Sequence, residues 1–153
     1  MRPTTDRVRE AWLSIVQPWL PGARVVDLFA GSGALGLEAL SRGAVSCDFV
    51  ESSQKSLVAL QANIAKLDAS PRSRIHRMDA VKYALLRAEG EYDVGFADPP
   101  YDRGLAPKLA ERWLDVPFAA VLGVEHSIRE SMPSGGENRK YGSTAITFYG
   151  LRR

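Results

Sequence analysis

The sequence predicts an α/β fold in which a mostly parallel sheet is covered by helices on both faces. Three observations predict it. Short apolar runs of strand type alternate along the chain with segments of helical period. A glycine-rich turn joins the first of these runs to the helix after it. The last two runs are separated only by a Gly-Ser turn, which is too short for anything but a hairpin, so the sheet is mixed at that edge.

Element by element, Val8, Trp12, Ile15, Val16 and Trp19 recur at helical spacing, with Thr4 or Thr5 as the cap. RVVDLFA, Arg24 to Ala30, reads as the first strand, and Leu35 to Leu40 as a helix. CDFV ending in Glu51 is the second strand, followed by a helix marked by Leu57, Leu60, Ile64 and Leu67. Arg74 to Met78 is a weak third strand and Val81 to Leu86 a helix. Asp93 to Ala97 is the fourth strand, Leu105 to Leu114 a helix, and Ala119 to Val124 the fifth strand. A loop over Ser131 to Asn138 precedes the hairpin near Lys140 and Thr144 to Leu151.

The bulk numbers exclude several classes. With 153 residues, 45% hydrophobic and 25% charged, the chain reads as a single domain over residues 1–153, without repeat or linker. No apolar run approaches the roughly 18 residues that cross a bilayer, and MRPTTDRVRE lacks a signal-peptide core. The single cysteine, Cys47, has no partner for an internal disulfide. No membrane or metal is expected as a partner, and cytoplasmic residence is. A net charge of +2 does not announce a nucleic-acid binder. Two basic groups, Arg72, Arg74, Arg77 and Lys82, and Arg139, Lys140, Arg152 and Arg153, read first as solvated surface.

The first strand runs into Gly31, Ser32, Gly33, Ala34, Leu35 and Gly36, a GxGxxG between strand and helix. Such glycines allow a tight turn and close approach of a nucleotide cofactor. Glu51, at the end of the next strand, is placed to bond ribose hydroxyls, or to serve as an N-terminal acid of the helix after it. Asp27 separates two cofactor classes. A dinucleotide brings a pyrophosphate, which a nearby carboxylate repels; S-adenosyl-L-methionine (SAM) brings an ammonium and a sulfonium and no phosphate. Asp27 therefore favours SAM over NAD, unless it is a structural acid bonded to loop amides. Asp79 suits either the adenine amine of such a cofactor or the cap of the following helix.

Asp98, Pro99, Pro100 and Tyr101 end the fourth strand. Two consecutive prolines supply no backbone donors and stiffen the turn. The Asp98 carboxylate and Pro99 carbonyl are thereby offered as acceptors. An exocyclic base amine needs that pair, because its lone pair is delocalised into the ring. Two acceptors on its N–H groups favour a pyramidal nitrogen and stabilise the positive charge that develops on methyl transfer. Tyr101 offers a ring face to an unstacked base, and on this reading the ring rather than its hydroxyl carries the role.

These motifs resemble a known family. RPTTDRVRE (Arg2 to Glu10), DLFAGSGALGLEALSRGA (Asp27 to Ala44), FVESS (Phe49 to Ser53), DPPY (Asp98 to Tyr101) and VEHS (Val124 to Ser127) look like the RsmD-type 16S rRNA (guanine-N2)-methyltransferases. The resemblance implies a Rossmann-like class I methyltransferase fold of seven strands, one antiparallel near the C-terminus. It implies SAM as donor, S-adenosyl-L-homocysteine as product, and a guanine of rRNA in an assembling small ribosomal subunit as acceptor. The implied cofactor positions are Asp27, Ala30, Gly31, Gly33, Glu51, Ser52 and Asp79, with Thr5 and Arg7 near the methionine end. The implied catalytic positions are Asp98, Pro99, Pro100 and Tyr101. Glu125 and His126 match the family without an evident role; His126 is expected to be structural.

DPPY also serves adenine-N6 methyltransferases of DNA or RNA, and a non-catalytic SAM- or RNA-binding module is the third reading. Family members usually carry a Gly- and Arg-rich extension before RPTT, whereas Met1 immediately precedes it here. The expectation is that this chain binds SAM but methylates its RNA poorly until an upstream basic segment is restored.

Overall fold

The computed structural model describes residues 5–151. Thr4, Arg2, Arg152 and Arg153 lie outside the described residues. Thr5 caps α1 (Asp6–Val16) by accepting a bond from the Val8 amide at 3.2 Å. The helical period continues to Trp19, but Pro18 has no N–H to donate, and Gln17–Trp19 is a 3₁₀ turn. Then follow β1 (Arg24–Leu28), α2 (Ala34–Ser41), β2 (Ser46–Val50), α3 (Gln54–Lys66), β3 (Ser73–His76) and α4 (Ala80–Leu85). The chain continues through β4 (Tyr92–Ala97), α5 (Leu105–Asp115), β5 (Ala119–Ser127), β6 (Glu137–Tyr141) and β7 (Thr144–Tyr149).

The seven strands lie in the order β3-β2-β1-β4-β5-β7-β6. All pairs from β3 to β5 are parallel; β7 is antiparallel to both β5 and β6. The Rossmann-like architecture and the mixed edge are therefore as expected. Alternate residues of each strand feed two cores, which is why the strands read as nearly continuous apolar runs. Val25, Phe49, Phe96 and Val121 pack with Trp12, Leu37 and Leu60 on one face. Val26, Leu28, Val50 and Leu122 pack with Tyr83, Ala106 and Leu109 on the other.

Several boundaries differ from the pattern: β3 ends at His76 rather than Met78, β6 begins at Glu137 inside the loop expected over Ser131 to Asn138, and β7 ends at Tyr149. The first strand ends at Leu28, because Phe29 turns the chain with φ of 60°. Strand β5 runs on through Glu125 and His126 to Ser127, because β7 pairs along it from Tyr149 opposite Leu122 to Thr144 opposite Ser127. The first basic group is partly structural: Arg74 pairs with Asp48 at 3.0 Å, and Arg72 donates to the Leu40 carbonyl at 3.1 Å.

Candidate active site

The strand order reverses at β1, whose neighbours β2 and β4 carry the chain away in opposite directions. A crevice opens there, beyond the carboxyl ends of the strands. Register fixes what meets in it. Leu28 stands abreast of Val50 and Ala97, and Ala97 abreast of Val124. The residues that follow, Phe29, Glu51, Asp98 and Glu125, thus sit at one level across four strands.

The glycine loop is held from several sides. The Ala30 amide donates to the Val50 carbonyl at 3.0 Å, the Gly33 amide to the Ala30 carbonyl at 2.9 Å, and Asn63 of α3 to the Ser32 carbonyl at 2.9 Å. Gly31 has φ of 59° and Gly33 of 89°, a region open to glycine at little cost. A Cβ at Gly31 meets nothing within 4 Å, so its exposed side is open space against the cleft. Phe29 adopts a positive φ without being glycine, and so does Asp102, just past DPPY. Strained residues thus stand on both lips of the crevice, as at many functional sites.

Asp27 is 1% exposed and accepts a bond from the Gly36 amide, in the first turn of α2, at 3.0 Å. Burial pushes its carboxyl well above the usual carboxylate range; the Gly36 bond opposes that, and the charges of Asp98 and Glu51 push it further. The bond to Gly36 is the structural alternative raised from the sequence. It leaves the other oxygen for a ligand, and Asp27 lines the cleft together with Asp98. Glu51 also combines its two readings. One oxygen accepts from the Gly31 amide at 2.7 Å, the other from the Ser52 and Ser53 amides at 3.1 and 2.9 Å. It thereby braces the glycine loop against the start of α3. Ser52 is exposed beside it. Asp79 is exposed and caps α4, accepting from the Lys82 amide at 2.9 Å.

The cleft at the glycine loop measures about 300 Å³, and its walls include Arg9, Asp27, Phe29, Ala30, Gly31 and Asp98. A second cleft of about 250 Å³ lies between the start of α1 and the β6–β7 turn, lined by Thr5, Arg7, Tyr101, Tyr141, Ser143 and Thr144. Seven of the candidate residues line these two clefts, whereas Gly33, Glu51, Ser52, Asp79, Pro99 and Pro100 line neither. Asp27, Ala30, Gly31 and Asp98 line the first; Thr5, Arg7 and Tyr101 line the second. Arg9, not singled out from the sequence, lies at the glycine loop with 29% of its side chain exposed, and also pairs with Asp6. Its signal was helical spacing, since it shares a face with buried Trp12, Leu13 and Val16.

Two acids, Asp27 and Asp98, line the first cleft with one arginine, Arg9. A ligand carrying positive charge and a carboxylate matches that set better than a pyrophosphate does. The Tyr101 hydroxyl donates to Glu125 at 2.5 Å and is bonded to the Thr144 hydroxyl, so the ring is anchored through the group that sequence reading set aside. His126 is buried, with Nδ1 2.8 Å from the Ser127 carbonyl and Nε2 2.7 Å from the Thr147 hydroxyl. The carbonyl requires the proton on Nδ1, and both ring nitrogens are engaged inside the sheet, which makes His126 a structural residue.

The comparisons with known proteins agree with this architecture. The Bacillus subtilis protein YlbH is 40% identical over 102 residues, 65% of this chain and 55% of that protein. Ribosomal RNA small subunit methyltransferase D of Escherichia coli K12 is 35% identical over 137 residues, 88% of this chain and 68% of that protein. The chain thus spans little more than half of the first relative's length and about two thirds of the second's. The solved structure of yhhF from Escherichia coli superposes with a TM-score of 0.83 at 33% identity, covering 97% of this chain and 86% of that one. A family model described as Conserved hypothetical protein 95 matches residues 1–150, and the chain belongs to that family, the RsmD-type methyltransferases whose motifs its sequence resembles.

Proposed function

We propose that this chain transfers a methyl group from SAM to the exocyclic N2 amine of a guanine in small-subunit rRNA. The single observation that carries the proposal is the meeting of Asp27 and Asp98 on one cleft, below an open Gly31. They bring a cation-favouring loop and an amine-accepting turn to one switch point of the sheet. Membership of the family, and the activity named for the Escherichia coli relative, support the same reading.

When bound, SAM supplies an electrophilic methyl group on a positively charged sulfur. Asp27 would hold the ammonium and Arg9 the carboxylate of its methionine end. Glu51 would offer its remaining acceptor capacity to the ribose, Gly31 and Gly33 would let the cofactor lie close to backbone, and Ser52 and Asp79 would flank the adenosine. Thr5 and Arg7, expected near the methionine end, line the cleft of Tyr101 rather than that of Asp27, and there they would face the acceptor instead. Asp98 and the Pro99 carbonyl would accept the two N–H groups of the base amine, raising electron density on nitrogen. Pro100 keeps the turn stiff and without a donor. Tyr101 would support the base ring. The proton leaves the nitrogen through Asp98 to solvent. The acceptor is taken as rRNA in an assembling small subunit in the cytoplasm.

The test is methylation of 16S rRNA, naked and in small-subunit particles, purified from cells lacking the protein, followed by nucleoside digestion and mass analysis. N2-methylguanosine at one site, absent with Asp98→Ala, is the expected result. N6-methyladenosine instead would move the assignment to adenine. SAM binding with no methylated nucleoside would leave a binding module.

A further inference from the structure

We propose that Glu125 is a positioning residue for this transfer, holding the Tyr101 ring through its hydroxyl. The inference rests on the function proposed above and deepens it.

Glu125 is fully buried in β5, one residue beyond Val124, and so stands level with Asp98 at the end of the neighbouring strand. A carboxylate in a sheet interior is costly unless its oxygens are bonded. One oxygen, Oε2, accepts from the Tyr101 hydroxyl at 2.5 Å and lies 3.2 Å from the Thr144 hydroxyl. Thr144, buried at the start of β7, is in contact with the Tyr101 hydroxyl as well and lies 3.2 Å from the His126 carbonyl, and its one proton serves one of these acceptors at a time. Three side chains from three parts of the chain, β5, the turn after β4 and β7, therefore close a single knot. Its one partly exposed member is Tyr101, which follows the stiff Pro99–Pro100 pair. Along the turn the prolines restrict the backbone; at the far end of the ring the knot fixes the hydroxyl. A ring held at both ends has one orientation in the cleft that it lines with Arg7, Tyr141 and Ser143. Hydrogen bonds to a charged acceptor are the stronger kind, which suits a device that must hold an aromatic ring steady under a base. Glu125 would act through Tyr101 rather than on the cofactor or the base.

The experiment is a double-mutant cycle on single-turnover methylation of the 16S rRNA substrate, with SAM saturating. Glu125→Ala should slow transfer roughly 10- to 100-fold, the scale of a misplaced reacting group, with SAM affinity unchanged. Glu125→Gln, which keeps an oxygen acceptor for the Tyr101 hydroxyl, should recover most of the rate. Tyr101→Phe should lose a similar factor, and the double variant Tyr101→Phe/Glu125→Ala should be no slower than the slower single variant, because the two act as one unit. Losses that multiply, or a wild-type rate in Tyr101→Phe, would overturn the proposal; the latter decides it even where Glu125→Ala does not fold. A wild-type chain that methylates no RNA overturns the proposed function instead. The crystal structure of the Glu125→Ala protein, or of Glu125→Gln in its place, then decides the role of Glu125. A Tyr101 ring displaced in Glu125→Ala, or kept in place by Gln, supports it; a ring unmoved in Glu125→Ala, or displaced in Glu125→Gln, overturns it.

Discussion

Asp27 and Asp98 face one cleft but stand in different surroundings, and their expected behaviour differs accordingly. Burial first, then the charges of Asp98 and Glu51, hold the Asp27 carboxyl protonated further up the pH scale than an ordinary aspartate. The folded chain therefore binds this proton more tightly than the unfolded chain does. Stability of the cofactor-free protein should fall as pH rises from the ordinary carboxylate range through the raised value. Asp27→Asn keeps an acceptor for the Gly36 amide and removes the titration. Melting temperature measured against pH should thus be flatter for Asp27→Asn and higher at neutral pH, while its SAM affinity falls. Equal pH profiles in the two proteins would show that the raised value is not what costs stability. Asp98, by contrast, is half-buried at the mouth of the turn. Asp98→Ala should leave SAM binding nearly intact and lower turnover by about 10²-fold or more, as for loss of one preorganised partner of a developing charge; single-turnover rates and a calorimetric titration check the two halves.

At the scale of the element, the third glycine of the motif is a packing residue. Gly36 lies inside α2, and a Cβ there would meet Phe49 Cε1 at 2.5 Å, Cys47 Sγ at 2.7 Å and Asp27 Oδ2 at 3.0 Å. The helix can approach β1 and β2 closely enough to bond Asp27 only because that atom is missing. Gly36→Ala should cost about 1–3 kcal/mol by overpacking, read as a lower urea midpoint with unchanged slope, and should weaken SAM through Asp27. Gly31→Ala is the contrasting case. Its Cβ meets nothing, so the chain should fold with only the strain of φ at 59°, while the methyl group intrudes on the cleft. The pair separates the glycine that shapes the fold from the glycine that admits a ligand.

Across the whole molecule, the cleft is built from segments as far apart as Arg9 and Asp98, so occupying it should stabilise the chain as a unit. SAM or S-adenosyl-L-homocysteine at 100 times its dissociation constant should add about 2.7 kcal/mol, raising the melting temperature by roughly 5–10 °C for a chain of this size. NAD at the same concentration should leave it unchanged; a shift with NAD and none with SAM would overturn the cofactor assignment. Among the described residues no helix is long and apolar enough to cross a membrane.

What the sequence determined by itself was local and periodic. Alternating runs declared the strands and helices, Gly31 to Gly36 the turn after β1, and DPPY a donor-free turn after β4, because backbone sterics and hydrogen-bond capacity depend on neighbouring residues alone. The Gly-Ser turn likewise announced the hairpin. Tertiary structure decided everything that depends on what faces what. The length of β5 was set by pairing with β7, which a run of AAVLGV cannot reveal. Asp27 and Glu51 had two readings each, and the folded chain gave both acids a structural bond while leaving Asp27 at the cleft. Arg9 came to the glycine loop through the packing of α1 beside α2, and the Tyr101 hydroxyl found Glu125 and Thr144 across 24 and 43 residues of chain. Such contacts are made between residues distant in sequence, so no window of the chain contains them.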